Sequence, residues 1–289
     1  MHTENLIKFA HTNKYNNNRM NGKHLIYATA MLICVILNGS TFSYGKNYIE
    51  KSVTIEQNYT KIRVTDYVNI RFSPEAESIT IKADKKTINN VNITYVDNEI
   101  RFEIGDYYST RITQPPGRFC EVILPFKKDV TEFYLSGTST LVTDSALNVT
   151  ALFVSNGARF EAPISNRECY IVGTDDSKIY SEVNLSTLKI KLNGNIDARL
   201  HGKCTVCDIQ AHGTTILSAS RKYITADHVK ITTSGAARVT IEALKAIRGE
   251  AYGGSIITCY NNPEELDIKH YEVSQVLLPD VPRIPEIIE

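Results

Sequence analysis

Between about Thr131 and Tyr260 the alternation of apolar and polar positions repeats on a fixed count. Take the segments ending at Gly137, Asn156, Asp175, Gly194, Gly213, Gly235 and Gly254 and align them on that last residue. The numbering then advances by a constant step from one anchor to the next, except for one longer step between Gly213 and Gly235. Each of these anchors is Gly, Asn or Asp, the residues that tolerate a left-handed backbone, so each is expected to mark a tight turn. Four residues before the anchors stand Phe133, Leu152, Ile171, Ile190, Ile209 and Ile231, with Glu250 as the exception. Four residues after them stand Leu141, Phe160, Ile179, Ala198, Leu217, Val239 and Thr258. Short strands of period two therefore flank a recurring turn.

A unit of this length cannot enclose a core by itself, so equivalent positions must stack on those of the neighbouring units. With strands about 4.8 Å apart, each coil adds one strand width, and the residues four before and four after the anchors become two interior columns. A β-sandwich has no reason to keep a constant count between equivalent turns; a parallel β-helix does. The fold class expected is all-β, a solenoid of about 19-residue coils. From Tyr48 to Pro125 the strands are less regular, with Asp97-Asn98 reading as a hairpin turn, and this half supplies either irregular first coils or an antiparallel cap. The expected division is 1–45 as leader and extension, 46–125 as the irregular β-rich half, 126–263 as repeat coils, and 264–289 as a Pro-rich tail lying across the end or along the side.

Composition changes the picture only at the N-terminus. Lys and Arg together number 32, as do Asp and Glu, so no net field points to nucleic acid. Lys14, Arg19 and Lys23 precede a mostly apolar run, Leu25 to Leu37, and small residues follow at Gly39, Ser40, Ser43 and Gly45. This is the pattern of a secretory signal peptide, and the run is shorter than the roughly 20 residues of a membrane span. Cleavage after Gly45 would start the mature chain at Lys46, with no span remaining, and Met20 could serve as the start. Cys34 lacks the small preceding residue that lipidation needs.

Candidate chemistry is sparse. Asp175, Asp176 and Asp197 are the acidic cluster a polysaccharide-cleaving β-helix would use, but an anchor aspartate is accounted for by its turn. His201, His212 and His228 occupy different repeat positions with no nucleophile motif beside them. Cys204-Thr-Val-Cys207 has the spacing of a metal or redox pair, yet no second pair follows, and Cys169 and Cys207 share an apolar interior column with Leu188. No catalytic, cofactor or metal residues are assigned. Tyr107, Tyr108 and Tyr180 are aromatic candidates for sugar contact.

The serial motifs Leu135-Ser-Gly137, Val154-Ser-Asn156, Leu192-Asn-Gly194 and Thr233-Ser-Gly235, preceded in order by Ile62-Arg-Val, Val68-Asn-Ile-Arg-Phe, Ile79-Thr-Ile-Lys-Ala-Asp, Asn98-Glu-Ile-Arg-Phe and Val122-Ile-Leu-Pro, resemble a known family. It is the putative auto-transporter adhesin, head GIN domain, also called DUF2807. The resemblance runs from about Val53 to Pro263, departing at Asn156 and Asp175 where Gly is usual. It implies a right-handed β-helix in an exported protein of the kind common in Bacteroides-like organisms, and it brings no catalytic residues. The function expected is an exported, non-enzymatic envelope or surface scaffold, adhesin-like, with a surface glycan or protein as ligand. Two alternatives stand beside it: a structural or stress-related envelope protein with no ligand of its own, and the polysaccharide-cleaving enzyme. Open end coils would also permit self-association.

Overall fold

The computed structural model describes residues 48–105, 118–218 and 222–279. The leader, its cleavage site and Met20 lie outside these, as do Tyr107, Tyr108 and the last prolines. What the described residues form is a parallel β-solenoid. Each regular coil carries a first-row strand before the turn and a second-row strand after it. Glu168–Thr174 is a first-row strand, pairing in parallel with Ala151–Val154 on one side and Thr187–Gly194 on the other. Lys178–Asn184 is its second-row counterpart, between Arg159–Glu161 and Asp197–Gly213. The one long interval, between Gly213 and Gly235, has a local cause. Ala198 still pairs with Leu217 at the ordinary period, whereas Gly202 pairs with Ile224, so the extra residues enter between Leu217 and Ile224.

The interior column before the turn runs through Phe133, Leu152, Ile171, Ile190, Ile209 and Ile231, all buried. Burying each such side chain contributes about 1.5 to 3 kcal/mol of transfer free energy, so the columns are the main source of cohesion. At its last steps the register corrects the sequence reading. Ile231 pairs with Gly249, not Glu250, and Val239 pairs with Ile257, not Thr258. The last anchor moves with them: φ is positive at Gly253 (65°), and Gly254 is not among the positive-φ residues. The last interval is therefore one residue shorter than the regular period. The apparent exception at Glu250 is a one-residue slip, and Glu250 lies on the outer face.

Positive φ occurs in file at Gly137 (71°), Asn156 (55°), Asp175 (47°), Gly194 (119°), Gly213 (79°), Gly235 (74°) and Gly253 (65°). The file extends at both ends, to Asp66 (63°), whose backbone lies beneath Gly137, and to Glu272 (58°). Two residues beyond the anchors a second column is buried, small except at Ile196: Ser139, Ala158, Ser177, Ile196, Thr215, Ala237, Ser255 and Ser274. Thr215, Ser255 and Ser274 donate their hydroxyls to the carbonyls of His212, Tyr252 and Tyr271, closing the turn from inside.

The described residues of 46–125 and of 126–263 share one buried cluster, because Lys61–Val64 stacks directly on Glu132–Leu135 and Val68–Ser73 on Thr140–Val142. The coil at 61–73, though early in sequence, lies inside the stack. Its outer neighbours are Glu99–Ile104 and Cys120–Pro125, also parallel. Antiparallel strands then close this end: Val91–Val96 on Glu99–Ile104, Ile79–Asp84 on Cys120–Pro125, and Tyr48–Val53 on Ile79–Asp84. This half thus contains both irregular coils and a cap. Asp97 and Asn98 both have positive φ, as the two-residue turn between antiparallel strands requires. At the other end the tail expectation fails for 264–277. Glu265–His270 and Gln275–Leu277 form one more coil, paired in parallel with Arg238–Ala251 and Ile256–Cys259. Among the described residues no helix is long and apolar enough to cross a membrane.

Candidate binding surface

Outward positions of the first row fall into files because every coil repeats the same pleat. Three residues before the anchors the file reads Tyr134, Phe153, Val172, Lys191, Gln210, Thr232, Glu250 and Lys269. Its first three members are aromatic or aliphatic, and the later ones are polar or charged. Tyr134 and Phe153 stack face to face, centroids 4.7 Å apart and planes 2° off parallel. Tyr170, in the adjoining file, meets Phe153 edge-on at 6.1 Å and 88°. The Arg63 guanidinium covers the other face of Tyr134 at 4.3 Å. Tyr134 donates its hydroxyl to Glu132 (2.7 Å), and its pKa is pushed up to about 12 by burial and then by that carboxylate. Tyr170 is exposed, and Tyr134, Phe153 and Val172 are half-buried. Beside Tyr170 lies a depression of about 240 Å³ lined by Thr150, Glu168, Thr187 and Lys189. An aromatic edge flanked by a hydroxyl, a carboxylate and an ammonium suits a polar ligand with apolar faces.

A second concavity, about 450 Å³, lies along the second row between Asp144, Glu161, Tyr180, Glu182, Arg199, His201 and Lys222. Tyr180, one of the sugar candidates, is already occupied. Its ring lies between Arg159 (5.1 Å) and Arg199 (4.9 Å), and its hydroxyl donates to Asp197 at 2.7 Å. Asp197 also accepts two bonds from Arg199, at 3.1 and 3.0 Å. Burial alone would raise its pKa, but the bonds from Arg199 and Tyr180 outweigh burial and hold it below the usual carboxylate range. A carboxylate so held is a poor proton donor. Asp176 instead accepts from Asn195 (2.8 Å) on the turn edge, and Asp175 is exposed at its anchor. The structure therefore does not join the three aspartates into one acid and base pair. His212 bonds Ser234 (2.7 Å), whereas His201 lies 4.0 Å from Glu182. No set of three His, Cys, Asp or Glu able to hold a metal occurs among the described residues.

Solved structures with this fold include a putative adhesin from Parabacteroides merdae, with TM-score 0.65 and 14% identity, covering 82% of this chain and 97% of that one. A putative lipid binding protein from Parabacteroides distasonis has TM-score 0.64 and 13% identity, covering 80% and 97%. A putative adhesin from Bacteroides fragilis has TM-score 0.53 and 14% identity, covering 81% and 98%. At these identities the likeness is one of fold. No curated protein matches the chain. The family model described as putative auto-transporter adhesin, head GIN domain, matches residues 58–263, from just before the inserted first coil to the last regular turn, and the chain belongs to that family.

Proposed function

We propose that this is an exported envelope or surface protein that binds a glycan or protein ligand, without catalysis, through the outer face of its first row. The observation that carries the reading is the aromatic file Tyr134, Phe153 and Tyr170, left partly exposed where later coils place Lys191, Gln210 and Lys189. Exposed apolar side chains in contiguous array have a solvation cost that a ligand removes. The membership of an adhesin-labelled family and the leader pattern at Lys14 to Gly45 support export and surface binding.

The test is binding of the chain to arrays of surface glycans and of envelope and matrix proteins, beside the variants Phe153→Ser and Tyr170→Ala. Lipid vesicles form a third arm, since one structural relative is named a lipid binding protein. The proposal expects at least one glycan or protein ligand, bound about tenfold or more weakly by each variant, the usual scale for losing a central aromatic contact. A null result on both arrays contradicts it. Binding that both variants leave unchanged removes the aromatic face from the account.

A further inference from the structure

The two ends of the stack are finished differently. Antiparallel strands close the first, whereas among the described residues no strand follows Gln275–Leu277 at the other. The inward side chains of this last coil have a described coil on one side only. Leu266 pairs with Ile247 and Val276 with Ile257, both fully buried, yet Leu266 is 44% exposed and Val276 only half-buried. Ile268 is half-buried too, and Leu278, two residues on from Val276 and so on the same face, is 39% exposed. Among the described residues nothing pairs with the outer edge of Glu265–His270, an edge open to a further strand. From Leu278 onward the sequence repeats every three residues. Leu278, Val281, Ile284 and Ile287 form an aliphatic file, Pro279, Pro282, Pro285 and Ile288 a second, and Asp280, Arg283, Glu286 and Glu289 a charged third. Three is the period of a polyproline II helix, which would carry these files along separate edges.

We propose that the open end of the last coil is the docking surface for residues 280–289 of the same chain, with Val281, Ile284 and Ile287 seated on Leu266, Ile268 and Val276. Chain topology delivers the segment there. After Ile256–Cys259 the chain turns and returns as Glu265–His270, and after Gln275–Leu277 it has the same turn to make. The step that takes Ile257 to Val276 and Ile247 to Leu266 takes Ile268 to Ile287. At about 3.1 Å per residue the segment reaches about 30 Å, enough to cross the six-residue strand Glu265–His270. Each proline fixes its own φ and holds the residue before it extended, so much of the ordering cost is met before docking. The prolines also cannot donate to the coil below. The segment therefore ends the solenoid as a strap, without adding a coil, and covers the edge against a second copy. This seat does not depend on what the aromatic face binds.

The experiment introduces one cysteine at a time into the full folded chain: Val281→Cys, Ile284→Cys and Ile287→Cys in the aliphatic file, Asp280→Cys, Arg283→Cys and Glu286→Cys in the charged one. Maleimide labelling is followed by mass spectrometry on the C-terminal peptide, which has no native cysteine. The aliphatic-file thiols should react about tenfold or more slowly than the charged-file thiols, at rates independent of protein concentration. Equal rates at all six positions overturn the proposal. Protection that appears only as the concentration rises assigns the seat to a second copy and also overturns it. Leu266→Ser with Ile268→Ser should release the protected thiols, and protection that persists there puts the seat elsewhere, against the proposal. If that variant does not fold, Ile268→Cys with Ile287→Cys decides: mild oxidation should give an intrachain disulfide, and its failure to form overturns the assignment.

Discussion

Gly213→Ala against Gly157→Ala separates stacking from local strain. Both residues have positive φ, 79° and 87°, so alanine meets a left-handed penalty of about 1–2 kcal/mol at each site, less about 0.5–1 kcal/mol gained by stiffening the unfolded chain. They differ in what lies over them. A Cβ at Gly157 would meet Gly137 O at 3.5 Å, an ordinary contact, whereas a Cβ at Gly213 would meet Gly194 O at 2.7 Å and Gly194 N at 3.1 Å, all backbone of the coil below. Relief requires the two coils to part locally by about 0.7 Å out of a spacing of about 4.8 Å. Two backbone bonds bind these levels, Thr214 N to Gly194 O at 2.9 Å and Ile216 N to Ile196 O at 2.8 Å, each worth about 1 kcal/mol net. Gly157→Ala should therefore cost about 0.5–1 kcal/mol and Gly213→Ala about 2–3 kcal/mol. Equilibrium unfolding in urea, compared by midpoint at constant slope, measures both. Equal midpoint shifts would refute the direct coil-on-coil contact at this turn.

Glu99 is buried between Arg63, which bonds it at 2.9 and 3.0 Å, and Arg101. Burial would raise its pKa, but the two guanidinium groups outweigh it and hold it below 4.5. The stability it contributes is thus present above the unfolded value and lost as pH falls through the folded one. Glu99→Gln should cost about 1–2 kcal/mol at neutral pH and flatten the decline of melting temperature below about pH 4.5; an unchanged acid limb would count against the pairing. In the interior column, Ile190→Ala should cost about 2–4 kcal/mol, while Lys191→Ala, one residue along and facing solvent, should stay within about 0.5 kcal/mol. Comparable losses from the two would mean that the faces are misassigned.

Most of the architecture is legible in the sequence because a solenoid writes its geometry as a count. Phe133 to Ile231 and the anchors from Gly137 to Gly235 can be placed in file from spacing alone. What escapes the count has physical causes. Gly253-Gly254 offers two glycines for one turn, and pairing of Ile231 with Gly249 selects the first. Glu272 holds its turn through the buried Ser274 hydroxyl and not through a residue type that prefers positive φ, so the final coil carries no turn signal. Asp66 stands far ahead of Gly137 in sequence because two strands of the outer coil and others of the cap intervene. The aromatic face is written three residues before the anchors as Tyr134, Phe153 and Val172, on the side of the turn opposite to Tyr180, the described sugar candidate. The acidic cluster fails for a reason that sequence does not carry: the pleat sends Asp176 to Asn195 on the turn edge and Asp197 to Arg199 on the second row.

If each coil is an interchangeable unit, then one whole coil can be removed. Deleting Asp176–Gly194, one full period, joins Asp175 to Asn195 and lets Asp197 and Ala198 take the places of Lys178 and Ile179 over Arg159 and Phe160. Deleting Asp176–Asn193, one residue fewer, puts Asp197 in the place of Ile179 over the buried Phe160. Circular dichroism and thermal unfolding of the two chains should show a cooperatively melting β protein for the first and loss of the cooperative transition for the second. Equivalent behaviour of the two would contradict the stacked-coil account.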